Sequence, residues 1–92
     1  MSDKMEIPDE ILIEMSYVKM SQYRTKVLKS LKEDVKIPTQ IAKDTDIVSN
    51  HISNTLKQLK DHDLVECLNP EARKGRLYRL TDEGKDVVEH LD

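Results

Sequence analysis

Ninety-two residues with a net charge of −3, 36% charged and 37% hydrophobic side chains, and no Phe or Trp describe one small domain with a thin aliphatic core. Ten Leu, seven Ile and seven Val recur at regular spacings, which excludes a disordered polar chain, and no apolar run approaches the roughly 20 residues that span a bilayer. Met1 to Glu14 is acidic and lacks the cationic start of a signal peptide, and a single cysteine fits a reducing compartment, so the expected location is cytoplasmic.

In chain order, residues 7–20 (IPDEILIEMSYVKM) read either as a helix, with Pro8 in its first turn and Ile11, Met15 and Val18 on one face, or as a strand entered through "ILI". Ser21 is a candidate N-cap for a helix in which Tyr23, Val27, Leu28 and Leu31 fall at helical spacing. "VKIPT" (35–39) is short and extended, because Pro38 disfavours a helical Ile37; Pro38 or Thr39 then opens a brief helix carrying Ile41 and Ala42. After "DTDI" a longer helix runs from Ser49 or Asn50 to His62, with Ile52, Leu56 and Leu59 along one stripe. "LVECLN" (64–69) and "RLYRL" (76–80) are strand candidates joined by "PEARKG", a hairpin. Thr81 caps a last helix that Val87, Val88 and Leu91 anchor.

Charge is arranged in blocks: −4 over residues 1–15, +5 over 16–60, −4 over 61–72, +4 over 73–80 and −4 over 81–92. Polyanion binding responds to local potential within a Debye length of about 10 Å at 0.1 M salt, so two positive blocks act together if the fold joins them. Arg73, Lys74, Arg76 and Arg79 surround Gly75, which lets the hairpin tip turn. Placing Ile52, Leu56 and Leu59 inward rotates Asn50, Asn54, Lys57 and Asp61 outward, with Ser53 and His51 on the flanks. Amide and lysine side chains on a helix suit the major groove, where they meet base edges and phosphates. Ser49 and Asn50 are equally candidates for capping, whereas Asn54, a full turn inside, has no capping role.

The segments "PTQIAKDTDIVSNHISNTLKQLKDHDLVECL" and "ARKGRLYRLTDEGKDVV" resemble winged helix-turn-helix transcription regulators of the MarR and ArsR type, especially short archaeal ones. The resemblance covers residues 21 to 91, and its most diagnostic pieces are the "IA…IS…LKQLKD…LV" frame and "KGRLYRLTDEG". It implies a mainly helical α+β fold: a three-helix core, a β-hairpin wing and a C-terminal helix over residues 21–92, preceded by an N-terminal arm or helix at 1–20. It also implies a sequence-specific regulator of double-stranded DNA that acts as a homodimer, with the recognition helix at about 49–62 in the major groove. The wing at 70–76 would lie on the adjacent minor groove or its phosphates. On this reading Asn50, His51, Asn54 and Lys57 meet the bases and Ser53 a phosphate or a close approach. Arg73 and Lys74 reach from the wing, Arg76 follows the backbone, and Thr39 offers its hydroxyl to a phosphate. Arg79 is assigned to a surface ion pair. Residues 7–20 either help to form the dimer or pack on their own domain. Such regulators commonly have glycine where this chain has Asp46 and Asp63, a cost of roughly 1 kcal/mol or less at each; Asp46 would also oppose phosphate.

His51, His62, Cys67 and His90 lack metal-binding spacing, Glu66 opposes a reactive thiolate at Cys67, and no nucleophile or phosphate-loop motif occurs. The expectation is a non-enzyme without cofactor, metal or membrane partner, and the sequence names no effector. The rival reading is a winged-helix protein-interaction module, supported by the net acidity; a small-molecule-responsive regulator is a second, with little room for a pocket outside a dimer interface.

Overall fold

A computed structural model describes residues 7–91. Its elements are α1 (Asp9–Lys19), α2 (Gln22–Ser30), α3 (Pro38–Thr45), α4 (Ser49–Asp61), β1 (Val65–Cys67), β2 (Tyr78–Leu80) and α5 (Asp82–Leu91). α2, α3 and α4 pack on one another around Val27, Leu28, Leu31, Ile41, Ile52, Leu56 and Leu59, all buried. Val87 and Val88 of α5 close this core from one side. Strands β1 and β2 pair antiparallel, Val65 opposite Leu80 and Cys67 opposite Tyr78, and a single bridge from Lys36 to Tyr78 adds the extended "VKI" segment beside them.

Local chemistry sets the helix limits. Ser21 Oγ accepts the Arg24 N–H at 3.2 Å and so begins α2, a cap worth about 1 kcal/mol. Thr81 Oγ1 accepts the Gly84 N–H at 3.0 Å and donates to the Asp63 carbonyl at 2.6 Å, so one hydroxyl both starts α5 and ties it to the end of α4. α4 stops in a left-handed turn: the Asp63 N–H donates to Lys60 O and the Leu64 N–H to Leu59 O, both at 2.9 Å, with Asp63 at φ 59°. Asp46 ends α3 at φ 60°. Both aspartates thus occupy glycine-type backbone, as their places in the sequence pattern imply. Asp63→Gly is expected to raise stability by about 1 kcal/mol, or roughly 4–8 °C in Tm for a domain of this size. An unchanged or lower midpoint in thermal denaturation would contradict this.

The 7–20 segment is helical, and α1 packs against α5 and α2 through buried Ile11 and Val18 and half-buried Met15. Its second attachment is polar. Glu14 Oε1 lies 2.8 Å from Nδ1 of His62, the residue that ends α4, and the Tyr17 ring stacks on His62 with centroids 3.6 Å apart. Arg24 lies 3.8 Å over the Tyr17 ring, donates to the Tyr17 carbonyl at 2.8 Å and donates to Gln58 Oε1 at 3.1 Å. This face of α1 is therefore joined to both α2 and α4, while Leu12 and Ile13 on its outer face remain exposed at 43% and 65%.

Carboxylates crowd the junction of α1 and α5. Burial, then the charges of Glu14, Asp63, Glu10 and Asp86, push the Glu83 carboxyl above its ordinary pKa. A raised value means that the folded state holds this proton more tightly than the unfolded chain. Glu83 thus favours folding most below the ordinary carboxylate range, and that contribution is lost as pH rises through the raised value. Glu83→Gln is accordingly expected to raise Tm at pH 7 and to leave it nearly unchanged at pH 4, as melting curves at the two pH values would show.

Candidate nucleic-acid interface

α4 presents its faces as helical geometry requires. Ile52, Thr55, Leu56 and Leu59 are buried, and Asn50, Asn54, Lys57 and Asp61 lie on the exposed side. The N-cap is Val48, with no side-chain cap, so Ser49 and Asn50 are already inside the helix and neither caps it. That corrects the capping alternative for both: the chain enters α4 from Ile47, which is buried, one residue earlier than the polar residues suggested. Asn50 and Asn54 are exposed, and their side-chain amides make no hydrogen bond with a described residue.

The wing is a folded loop. Asn69 Oδ1 accepts the Leu77 N–H at 2.8 Å while its Nδ2 donates to the Gly75 carbonyl at 3.2 Å, and the Leu68 N–H donates to Leu77 O at 2.8 Å. The strands are shorter than 64–69 and 76–80 because the Asn69 side chain takes over where backbone pairing ends. Gly75 turns the tip at φ 66°. Arg76 Nε donates to the Ala72 carbonyl at 2.7 Å, which holds its guanidinium against the loop, and Arg73 and Lys74 are exposed at the tip. Arg79 pairs with Glu66 at 2.6 Å on the hairpin's outer face, the surface ion pair expected of it.

Thr39 stands in the first turn of α3, where Pro38 supplies the fixed φ of a helix start and Gln40 Oε1 accepts the Ile37 N–H at 3.0 Å. An open groove of about 710 Å³ joins this turn to α4 and the wing, and is lined by Thr39, Ser53, Lys57, Lys60, Asp61, Arg73, Lys74, Gly75 and Arg76 over a floor of Ile37, Pro38, Leu56 and Tyr78. Six of the sequence-derived candidates therefore share one surface: Thr39, Ser53, Lys57, Arg73, Lys74 and Arg76. Asn50 and Asn54 lie beside the groove on the same outward side of α4, and His51 turns to the opposite flank, its ring centroid 4.9 Å from that of Tyr23. The groove carries five cationic side chains against the single carboxylate of Asp61. Lys60 is the cation that sequence reasoning passed over; its spacing of seven from Ser53 and three from Lys57 is the signal that would have found it. Asp46 is exposed in the turn before α4 and does not line the groove.

Among the described residues no group of His, Cys, Asp or Glu side chains converges on a point that would hold a metal ion, and no helix is long and apolar enough to cross a membrane. Cys67 is half-buried in β1, its Sγ 3.7 Å from Asn69 Oδ1.

No curated protein matches the chain. Solved structures do. The homodimeric winged helix-turn-helix DNA-binding domain of Mb0332 from Mycobacterium bovis, a possible ArsR-family transcriptional regulator, superposes with a TM-score of 0.68 at 21% identity over 88% of this chain and 73% of its own. The MarR family transcriptional regulator SPO1453 from Silicibacter pomeroyi gives 0.69 at 21% identity over 90% of this chain and 62% of its own. ZitR from Lactococcus lactis gives 0.68 at 20% identity over 77% of this chain, which spans about half of ZitR, 49%. At these identities the likeness is one of fold. The sequence profile of the winged helix-turn-helix family matches residues 3–92, essentially the whole chain, and with the helix order, the hairpin and the cationic groove described above it establishes that the chain belongs to the winged helix-turn-helix family.

Proposed function

We propose that the protein is a sequence-specific transcription regulator of double-stranded DNA, working in the cytoplasm. α4 enters the major groove with Asn50, His51, Asn54 and Lys57 toward base edges. The wing, residues 70–76, lies on the adjacent minor groove or its phosphates. Thr39, Ser53 and Arg76 meet the sugar-phosphate backbone between them. One observation carries this reading: the wing tip, the first turn of α3 and the wing-side flank of α4 line a single cationic groove in an otherwise acidic chain. Five cations gathered at one place suit a polyanion such as the phosphate backbone.

The regulator acts as a homodimer. The Mb0332 domain is described as homodimeric, and in this chain α1 leaves the apolar side chains of Leu12 and Ile13 exposed. Two copies related by a twofold axis read half-sites about 10 bp apart or a multiple of it.

Selection from random duplexes at two salt concentrations tests the proposal. Enrichment of a palindrome, with log affinity falling by about 0.9 per phosphate contact per log unit of salt, is the expected result. Failure to retain any duplex at low salt would leave the winged helix as a protein-interaction module.

A further inference from the structure

Tyr23 falls at core spacing in α2 yet is not in the core. It is 41% exposed, and its ring lies against His51, with centroids 4.9 Å apart and planes at 40°. Ring centroids about 4.5–7 Å apart mark an interacting aromatic pair. No described residue hydrogen-bonds either ring nitrogen of His51. An imidazole fixed by hydrogen bonds spends a nitrogen on the bond that fixes it. One held by its face keeps both, a donor and an acceptor in the neutral form. His51 is the third residue of α4, in the turn that comes nearest to base edges when such a helix enters a major groove. It also stands on the flank away from the wing, where a side chain without a neighbour would rotate freely.

We infer that Tyr23 is a positioning residue for base recognition: it sets the plane of the His51 ring so that the free imidazole nitrogens address one base pair at the edge of the site farthest from the wing. The inference rests on the DNA-binding reading of α4. The chemistry is that of an N–H donor to purine N7 or guanine O6, or of a ring nitrogen accepting from an adenine or cytosine amino group. Tyr23 itself reads nothing; its ring supplies orientation, and its hydroxyl is not required.

Binding of wild type, Tyr23→Phe, Tyr23→Ala, His51→Ala and the Tyr23→Ala/His51→Ala double variant to the selected duplex and its single-base-pair variants tests this. Tyr23→Phe keeps the wild-type preference at every position. Tyr23→Ala loses about five- to tenfold discrimination at one base pair. That is the pair at which His51→Ala loses it, and the double variant is no worse there than His51→Ala. Thermal midpoints confirm that each variant is folded. A Tyr23→Ala protein that keeps its preference, that weakens all duplexes equally, or whose effect adds to that of His51→Ala overturns the inference and leaves the DNA-binding reading intact. Wild-type protein that selects no duplex removes both.

Discussion

Gly84→Ala is expected to destabilise the fold by about 3 kcal/mol, a large fraction of the roughly 5–15 kcal/mol that holds a small domain together. Helix propensity alone points the other way, since alanine is better than glycine inside a helix by about 1 kcal/mol. The decisive fact is distance. A Cβ at position 84 would lie 2.0 Å from the Leu64 carbonyl oxygen and 3.0 Å from its carbon, and both are backbone atoms. That same oxygen accepts the Thr81 N–H at 3.1 Å, so it cannot yield without loosening the start of α5 as well. Chemical denaturation reads the outcome, and an alanine variant as stable as wild type would mean that α5 does not press on Leu64 in solution.

Asn54→Ala and Lys74→Ala are expected to fail in different ways. Asn54 lies on the exposed centre of α4, where a bidentate amide contact separates the right base from the wrong one by about 1–3 kcal/mol. Its removal should flatten the preference at one or two positions and leave the salt dependence as it was. Lys74 is exposed at the wing tip, where on the proposed reading its charge would meet phosphate and no base edge. Its removal should weaken every duplex alike and reduce the slope of log affinity against log salt by about 0.9. Titration of the selected site and its point variants at several salt concentrations distinguishes the two. Uniform loss in both variants would take α4 out of the reading role and leave only an electrostatic platform.

Much of this architecture was legible in the sequence because it follows from short-range rules. Ile52, Leu56 and Leu59 recur at helical spacing and are buried, Ser21 and Thr81 cap the helices they precede, and Asp46 and Asp63 take left-handed backbone where glycine is usual. What was missed depends on contacts across the chain. Gly84 reads as an indifferent helix residue until Leu64 is seen against it. Asn69 reads as the last residue of a strand, yet its side chain holds both sides of the wing. Tyr23 has core spacing but lies outside the core, because α4 brings His51 to meet it. The helix or strand alternative for residues 7–20 could not be decided from "ILI", since the deciding partners, His62 and Arg24, are 48 and 7 residues from Glu14 and Tyr17.

The Asn69 brace has a mechanical consequence. Because the Asn69 amide bonds both Gly75 and Leu77 across the hairpin, the shape of the wing that carries the charged apex is set before any partner arrives. On the DNA-binding reading proposed above, the wing and α4 would then act as the jaws of a caliper: a duplex whose backbones stand at the matching separation would be gripped without distortion, whereas another would have to be bent or squeezed first. Preference would thus extend to base pairs that no side chain touches, through the stiffness of the double helix between the two jaws.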